Sequence, residues 1–326
     1  MQLVMVHDLS TPSFGTPAAT LYAAALDQCA WADEVGFDCV ALGEHHGSPD
    51  GYDPSPIVFA SAVGARTRRI RIRTSVLLAP LYDPPKLAED LAVASIVCGG
   101  RLEAGLGAGY RESEYETFGR RMEDRWEAMG EIVSFLRQAW TGEPFRWRGR
   151  RVHVTPRPDP PPPIILGGGF PRSARRAAEI ADGWLPRSPD LWPPYRAACV
   201  ALGKPDPGDY PAQGPVFLHV SKNPDAAWER IEPHAIRMAE VYGGWQQETP
   251  DQTDGPYSGP PEGAALRASG AYQVLHPEEV LRLAESLGDD GILYMTPLLC
   301  GMDPELSWES LRLMESEVLP ALPGGG

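Results

Sequence analysis

Cysteine, long apolar runs and positive charge are all scarce in this 326-residue sequence. The five cysteines, Cys29, Cys39, Cys98, Cys199 and Cys300, are scattered and odd in number, and no C-x-x-C pair occurs. That argues against a zinc ribbon, a dithiol redox pair or a disulfide framework, and leaves small buried thiols as the expectation. No apolar run approaches the ~20 residues that span a bilayer, so no membrane partner is expected. The first residues run straight into Leu3-Val4-Met5-Val6 with neither a basic region nor a long apolar stretch. The reading is therefore of a soluble, reduced, cytoplasmic chain. Lys and Arg total 29 against 44 Asp and Glu, a net charge of -15. Such a surface repels phosphate backbones, and nucleic acid is not an expected partner.

What is present is the composition of a globular protein, 43% hydrophobic and 22% charged, which excludes global disorder. The 35 prolines and 34 glycines imply many loops around a regular core. Short apolar runs alternate with helical stretches. Strands are expected at Leu3–Val6, Phe37–Leu42, Ile70–Leu78, Arg101–Leu106, Ile164–Leu166, Gly183–Leu185, Val216–Val220 and Gly291–Met295. Nearly every one precedes a helical pattern, and eight such units predict an α/β fold of the (β/α)8 TIM-barrel type, with a doubly wound open sheet as the alternative. The whole of 1–326 is read as one such domain. A hairpin and the Pro-rich stretch Pro156–Pro163 form an insertion over about 144–163, the prolines acting as a stiff connector. Gly243–Tyr272, rich in Gly, Pro, Thr and Asp, reads as a long loop, a mobile lid or a disordered insertion.

In a parallel barrel the chemistry sits where strands end. After the second expected strand stands Gly43-Glu44-His45-His46-Gly47. Consecutive strand residues face opposite ways, so the two histidines are poorly placed to chelate one metal ion, and no metal is expected. A general acid/base role for one histidine, or a solvated or core-satisfied pair, remains open. After the fourth comes Gly105-Leu106-Gly107-Ala108-Gly109-Tyr110, where Tyr110 stands in place of the last glycine of a dinucleotide fingerprint. The glycines either admit a flat ligand or make a tight turn. After the fifth, Gly167-Gly168-Gly169-Phe170-Pro171-Arg172-Ser173 opens a helix whose amides favour an anion, unless it is a plain flexible turn. Trp126, Trp140, Trp184 and Trp308 fall in periodic segments and are read as core.

In order and spacing these stretches resemble the bacterial luciferase-like, flavin-dependent monooxygenase family over essentially the whole chain. The supporting runs are Gly36-Phe37-Asp38, Glu44-His45-His46, Leu87–Asp90, Gly99-Gly100-Arg101, Gly105–Tyr110 with Glu114, Phe118-Gly119, Trp140–Pro144, Pro163–Gly169, Ala181–Trp184 and Glu317–Pro320. The resemblance implies a TIM barrel with an insertion, binding reduced FMN or the deazaflavin coenzyme F-420 at the strand C-termini. It implies His45 as the catalytic histidine, with Glu44 as a second catalytic residue beside it. A non-prolyl cis peptide at Ser75–Val76 and the run Gly107, Ala108, Gly109 and Tyr110 would meet the cofactor. Gly168, Gly169, Phe170 and Ser173 would hold its phosphate. Where luciferase itself has an arginine by the phosphate this chain has Ala108, with Arg125 or Arg172 as substitutes. The implied reaction is oxidation of a small organic substrate by O2 and reduced FMN, the latter from a separate flavin reductase, in a homodimer. The alternatives are hydride transfer by F-420 without O2, and a non-catalytic flavin-binding barrel.

Overall fold

The computed structural model describes residues 1–248 and 262–322. In chain order the strands are β1 (Gln2–His7), β2 (Cys39–Leu42), β3 (Arg71–Thr74), β4 (Leu77–Leu78), β5 (Leu102–Gly107), β6 (Phe145–Trp147), β7 (Arg150–Val152), β8 (Ile164–Gly168), β9 (Gly183–Pro186), β10 (Phe217–Val220), β11 (Tyr272–Leu275) and β12 (Ile292–Met295). The main helices are α1 (Ala18–Val35), α2 (Pro56–Arg66), α3 (Pro84–Val97), α4 (Glu112–Thr117), α5 (Arg125–Ala139), α6 (Pro171–Ile180), α7 (Trp192–Ala201), α8 (Pro224–Gln247), α9 (Gly263–Ala268), α10 (Pro277–Leu287) and α11 (Pro304–Leu313).

Each of the eight expected strands is present, and the ladders among them are parallel. Parallel strands buried on both faces read as continuous apolar runs, which is why Cys39-Val40-Ala41-Leu42 is buried at every position. Helix α1 stops at Gly36, whose φ of 96° takes the left-handed cap that a residue with a side chain rarely adopts. The third expected strand is interrupted. A cis peptide at Ser75–Val76 separates β3 from β4, and both halves pair with β5.

The chain forms two compact units. The first comprises 1–41, 48–53 and 211–326. In it β1 pairs with β12, from Gln2↔Ile292 to Met5↔Met295, and β10 pairs with β11, from Phe217↔Tyr272 to Val220↔Leu275. Its core gathers Phe217, Trp228, Ile231, Leu266, Tyr272 and Leu306 between those strands and α8. The second unit comprises 42–47 and 54–210. Its strands run β3–β5–β8–β9, and Glu103 of β5 binds both Arg71 (2.9 Å) and Arg73 (2.5 Å) of β3. Here β6 and β7 form an antiparallel hairpin, and the prolines after it carry no regular structure before β8.

The stretch expected as a loop over Gly243–Tyr272 differs from that reading. Gly243–Gln247 are the last residues of α8, and Gly263–Ala268 form α9. Tyr272 begins β11. Residues 249–261 of the expected loop lie outside the described residues. Helix α8 runs through Pro233 and the Gly243-Gly244 pair because its apolar face, including Trp228, Ile231, Met238 and Trp245, is buried. Tertiary packing overrides the breakers.

Candidate active site

The sequence-predicted residues all lie in the second unit, at or just beyond the C-terminal ends of β2, β3, β5 and β8. Beyond β2, the chain enters a network of buried charge. Glu44 is 2% exposed. Its Oε2 accepts the Leu78 N–H at 2.6 Å, and Oε1 accepts the Tyr82 hydroxyl at 2.6 Å and meets His46 Nε2 at 2.9 Å. His45 turns to a different carboxylate: its Nδ1 lies 2.9 Å from Glu114 Oε1, and its ring packs edge-on against Tyr110 at 5.7 Å. Both histidines lie beyond β2, in the loop that follows it, and each finds a separate carboxylate there.

Glu114, in α4, is the hub. Its Oε1 accepts the His46 N–H at 2.9 Å and the Arg111 guanidinium at 3.2 Å, besides facing His45. Arg111 also donates to the His46 carbonyl at 2.9 Å, which fixes the loop after β2 from below. Burial pushes the Glu114 carboxyl up, but His45, the His46 N–H and Arg111 together outweigh it and hold the group below its ordinary range. Glu114 is therefore a carboxylate at neutral pH, and its second oxygen, Oε2, is buried with no partner among the described residues.

Between β3 and β4, the Ser75 N–H donates to the Leu42 carbonyl at 2.6 Å, and Ser75 itself is exposed. The Val76 side chain points the other way, into the backbones of β5 and β8. A Cβ on Gly107 would overlap Val76 Cγ2, and one on Gly167 would lie 2.9 Å from Val76 Cγ1. A Cβ on Gly105 would overlap the Thr74 carbonyl. Gly105 and Gly107 thus make room for the neighbouring strand's backbone and for Val76, which accounts for them without a ligand. Gly109 is different: its φ of 69° makes the turn that brings Tyr110 back beside His45. The Ala108 carbonyl accepts the buried Tyr115 hydroxyl.

Beyond β8 the loop does open a helix. Phe170 is the N-cap of α6, no side chain caps it, and Ser173 lies buried in the first turn. A Cβ on Gly168 would overlap that of Ser173 and lie 3.3 Å from Trp184 Nε1. One on Gly169 would lie 3.1 Å from Arg187 Nε. Of the arginines offered by the sequence, Arg172 is exposed, while Arg125 donates to the Met122 carbonyl and stacks on Trp126. The structure puts Arg187 at the loop instead.

Arg111, Tyr82, Trp184 and Arg187 were not singled out by site reasoning on the sequence, and Glu114 entered only as part of a motif. The i, i+3 pairing of Arg111 with Glu114 is a local signal that was available. For Arg187 there was none, since only the β8–β9 register, Gly168↔Pro186, sets it beside Gly169.

Residues 4–296 match the profile of a family described as luciferase-like monooxygenase. The chain belongs to that family. Among curated luciferase-like relatives, an F-420-dependent glucose-6-phosphate dehydrogenase of Nakamurella multipartita is 31% identical over 168 residues, 48% of this chain and 50% of that protein. The oxygenase component of a flavin-dependent trigonelline monooxygenase from Acinetobacter baylyi is 29% identical over 168 residues, 49% of this chain and 46% of that protein. The chain thus spans about half the length of the curated relatives it matches. The crystal structure of monooxygenase RslO1 from Streptomyces bottropensis has the same fold, with a TM-score of 0.77 over 98% of this chain and 99% of that one at 23% identity. Flavin-dependent and F-420-dependent proteins are both among the relatives that this chain resembles. No helix among the described residues is long and apolar enough to cross a membrane.

Proposed function

We propose that this chain is the oxygenase component of a flavin-dependent monooxygenase, which uses reduced FMN and O2 to oxidise a small organic substrate. The observation that carries the reading is the buried pair of His45 and Glu114, Nδ1 to Oε1 at 2.9 Å. Family membership and the trigonelline monooxygenase relative support the oxygenase assignment. A separate flavin reductase is the proposed electron source, since the sequence lacks a dinucleotide fingerprint.

The residues present fit a phosphorylated flavin. The uncapped head of α6 follows two glycines, and the Ser173 hydroxyl stands in its first turn. Gly168, Gly169, Phe170 and Ser173 would hold the phosphate, and Ser75, Val76 and Gly107–Tyr110 would line the ring. When bound and reduced, the flavin supplies the electrons that activate O2. The chain's own part is proton management. Glu114, held as a carboxylate, takes the proton-bearing Nδ1 of His45, so proton exchange with the substrate passes through Nε2. Glu44 has a positioning role: its oxygens bind the Leu78 amide, Tyr82 and His46, which anchors the His45–His46 loop on β4.

The F-420-dependent relatives favour a second reading, hydride transfer to or from a deazaflavin with no O2. One experiment separates them: reconstitute the purified chain with each reduced cofactor and follow O2 uptake with candidate substrates. Uptake coupled to product with FMN supports the oxygenase. Turnover that bleaches or restores the deazaflavin absorbance without O2 uptake overturns it in favour of the second reading. A homodimer is also proposed, on the apolar face that α2 and α3 leave exposed, where Val58 (71%), Val93 (46%) and Ile96 (49%) point outward.

A further inference from the structure

We infer that Asp50 and Arg237 are positioning residues for His45 and His46: their ion pair pins to α8 the segment that carries the chain on from the two histidines. The inference rests on the reading of His45 above. Residues 48–53 continue the chain from Gly47 and belong to the first unit, as does α8. Arg237, midway along α8, donates from Nε to Asp50 Oδ2 at 2.6 Å, and the Asp50 side chain is only 11% exposed. The Asp50 carbonyl accepts the Thr11 N–H at 2.5 Å and the Thr11 hydroxyl at 3.1 Å. Two residues on, the Tyr52 hydroxyl meets that of Tyr242 at 3.0 Å, and its ring packs against Trp245 with centroids 5.9 Å apart. The Asp53 N–H closes the segment by donating to the Asp8 carbonyl at 2.9 Å.

Helix α8 is itself fixed where it acts. His234, one turn before Arg237, has Nδ1 2.9 Å from the Cys300 carbonyl, which only accepts, so Nδ1 carries the proton. Cys300 holds a left-handed φ of 46°, uncommon for a residue with a side chain, and its N–H donates to Asp8 Oδ2 at 3.0 Å. The helix therefore reaches residues 48–53 by two routes, directly through Arg237 and Tyr242, and through Cys300 and Asp8. The consequence for the histidines follows from chain connectivity. Gly47 has a φ of 64°, and a glycine turns there at little cost. Before it, Glu114 accepts the His46 N–H and Arg111 donates to the His46 carbonyl. The chain is thus held at His46 and again at Asp50, with the glycine between. Releasing Asp50 frees Gly47 to turn, and both imidazoles then sample a wider range about Glu114 and Glu44. A shift of ~1 Å at a reacting group can cost ~100-fold in rate, and a loop still held at one end should lose less.

The test reads rate and ring geometry together. Steady-state kinetics, FMN and F-420 dissociation constants, and the nitrogen-15 ring signals of His45 and His46 in the cofactor-free protein are compared across variants. These are the parent, Arg237→Gln, Asp50→Asn, their double variant, Arg237→Lys and Arg230→Gln. Arg230 is the control, because it lies on the same helix but pairs with Glu309 at 3.2 Å. Arg237→Gln and Asp50→Asn should each lower kcat about ten-fold, with KM and cofactor affinity within about two-fold, and should shift or broaden both ring signals. The double variant should be no worse than either single one, and Arg237→Lys should recover most of the loss. Arg230→Gln should match the parent. Parental kcat and ring signals in Arg237→Gln and Asp50→Asn overturn the proposal. So does a loss that tracks the melting temperature or that Arg230→Gln shares. Full turnover in His45→Ala would instead remove the reading of His45, and the ring signals would still decide whether the ion pair positions the loop.

Discussion

Val76 occupies the space that a side chain on Gly107 would need: a Cβ there would overlap Val76 Cγ2 and come within 3.3 Å of Val76 Cβ. The segment between β3 and β4 is thereby locked against β5. Gly107→Ala should cost about 1–3 kcal/mol as an overpacked site. Paired with Val76→Ala it should recover most of that loss, because the overlapping methyl is gone. A double-mutant cycle by urea unfolding reads the coupling, and additive losses would show that the two do not interact.

His45→Ala should lower turnover by ~100-fold or more if the imidazole is the general acid/base, with cofactor affinity nearly intact. His46→Ala should have the smaller effect on turnover, since that ring faces Glu44 and packs on Phe118 at 4.6 Å. Equal losses in steady-state kinetics would contradict the assignment.

Glu114→Ala removes a buried carboxylate that both His45 and Arg111 engage and should destabilise by about 3–5 kcal/mol. The pH dependence follows from the depressed Glu114 carboxyl. Its contribution is complete above the ordinary carboxylate range and is lost as pH falls through that range and below it. Thermal melts from pH 6 downward should therefore fall more steeply for the parent than for Glu114→Gln.

A second acid-sensitive element lies in the first unit. Burial pushes His7 down to about 3, and burial with Arg230 pushes His219 down to about 4. Both are neutral when folded, whereas an unfolded chain takes up protons below about 6.5. Their contribution is full above that value and declines as pH drops toward 4 and then 3. The double variant His7→Gln, His219→Gln should show a smaller drop in melting temperature between pH 7 and 5 than the parent.

If α2 and α3 carry a dimer, Val93→Glu with Ile96→Glu should shift the sedimentation coefficient to that of a monomer without loss of circular dichroism. A parent already monomeric at micromolar concentration would end the proposal.

Much of the frame was legible because buried parallel strands write themselves as apolar runs. Ile164-Ile165-Leu166 and Ile292-Leu293 need no partner to be recognised. β11 was not: Tyr272–Leu275 alternates buried and half-buried positions over only four residues and follows a Gly/Pro-rich stretch. The end of α8 was obscured by Gly243 and Gly244, whose local cost is offset by burial of Trp245 and by the Tyr52–Tyr242 hydroxyl contact at 3.0 Å. At the site, the Glu44-His45-His46 triplet is contiguous and was readable. Arg187 was not, because its place is set by strand register, which a single strand's sequence does not state.

The pairing of Gln2 with Ile292 has a consequence for synthesis on the ribosome. β1 emerges before the other described strands, and its partner β12 follows some 290 residues later. At ~5–20 residues per second, that is a wait of roughly 15–60 s. Most of the second unit, 54–210, is continuous and complete long before then. Until then the apolar strand β1 lacks its β12 edge partner, and nascent chains stalled before Ile292 should be the ones that chaperones hold.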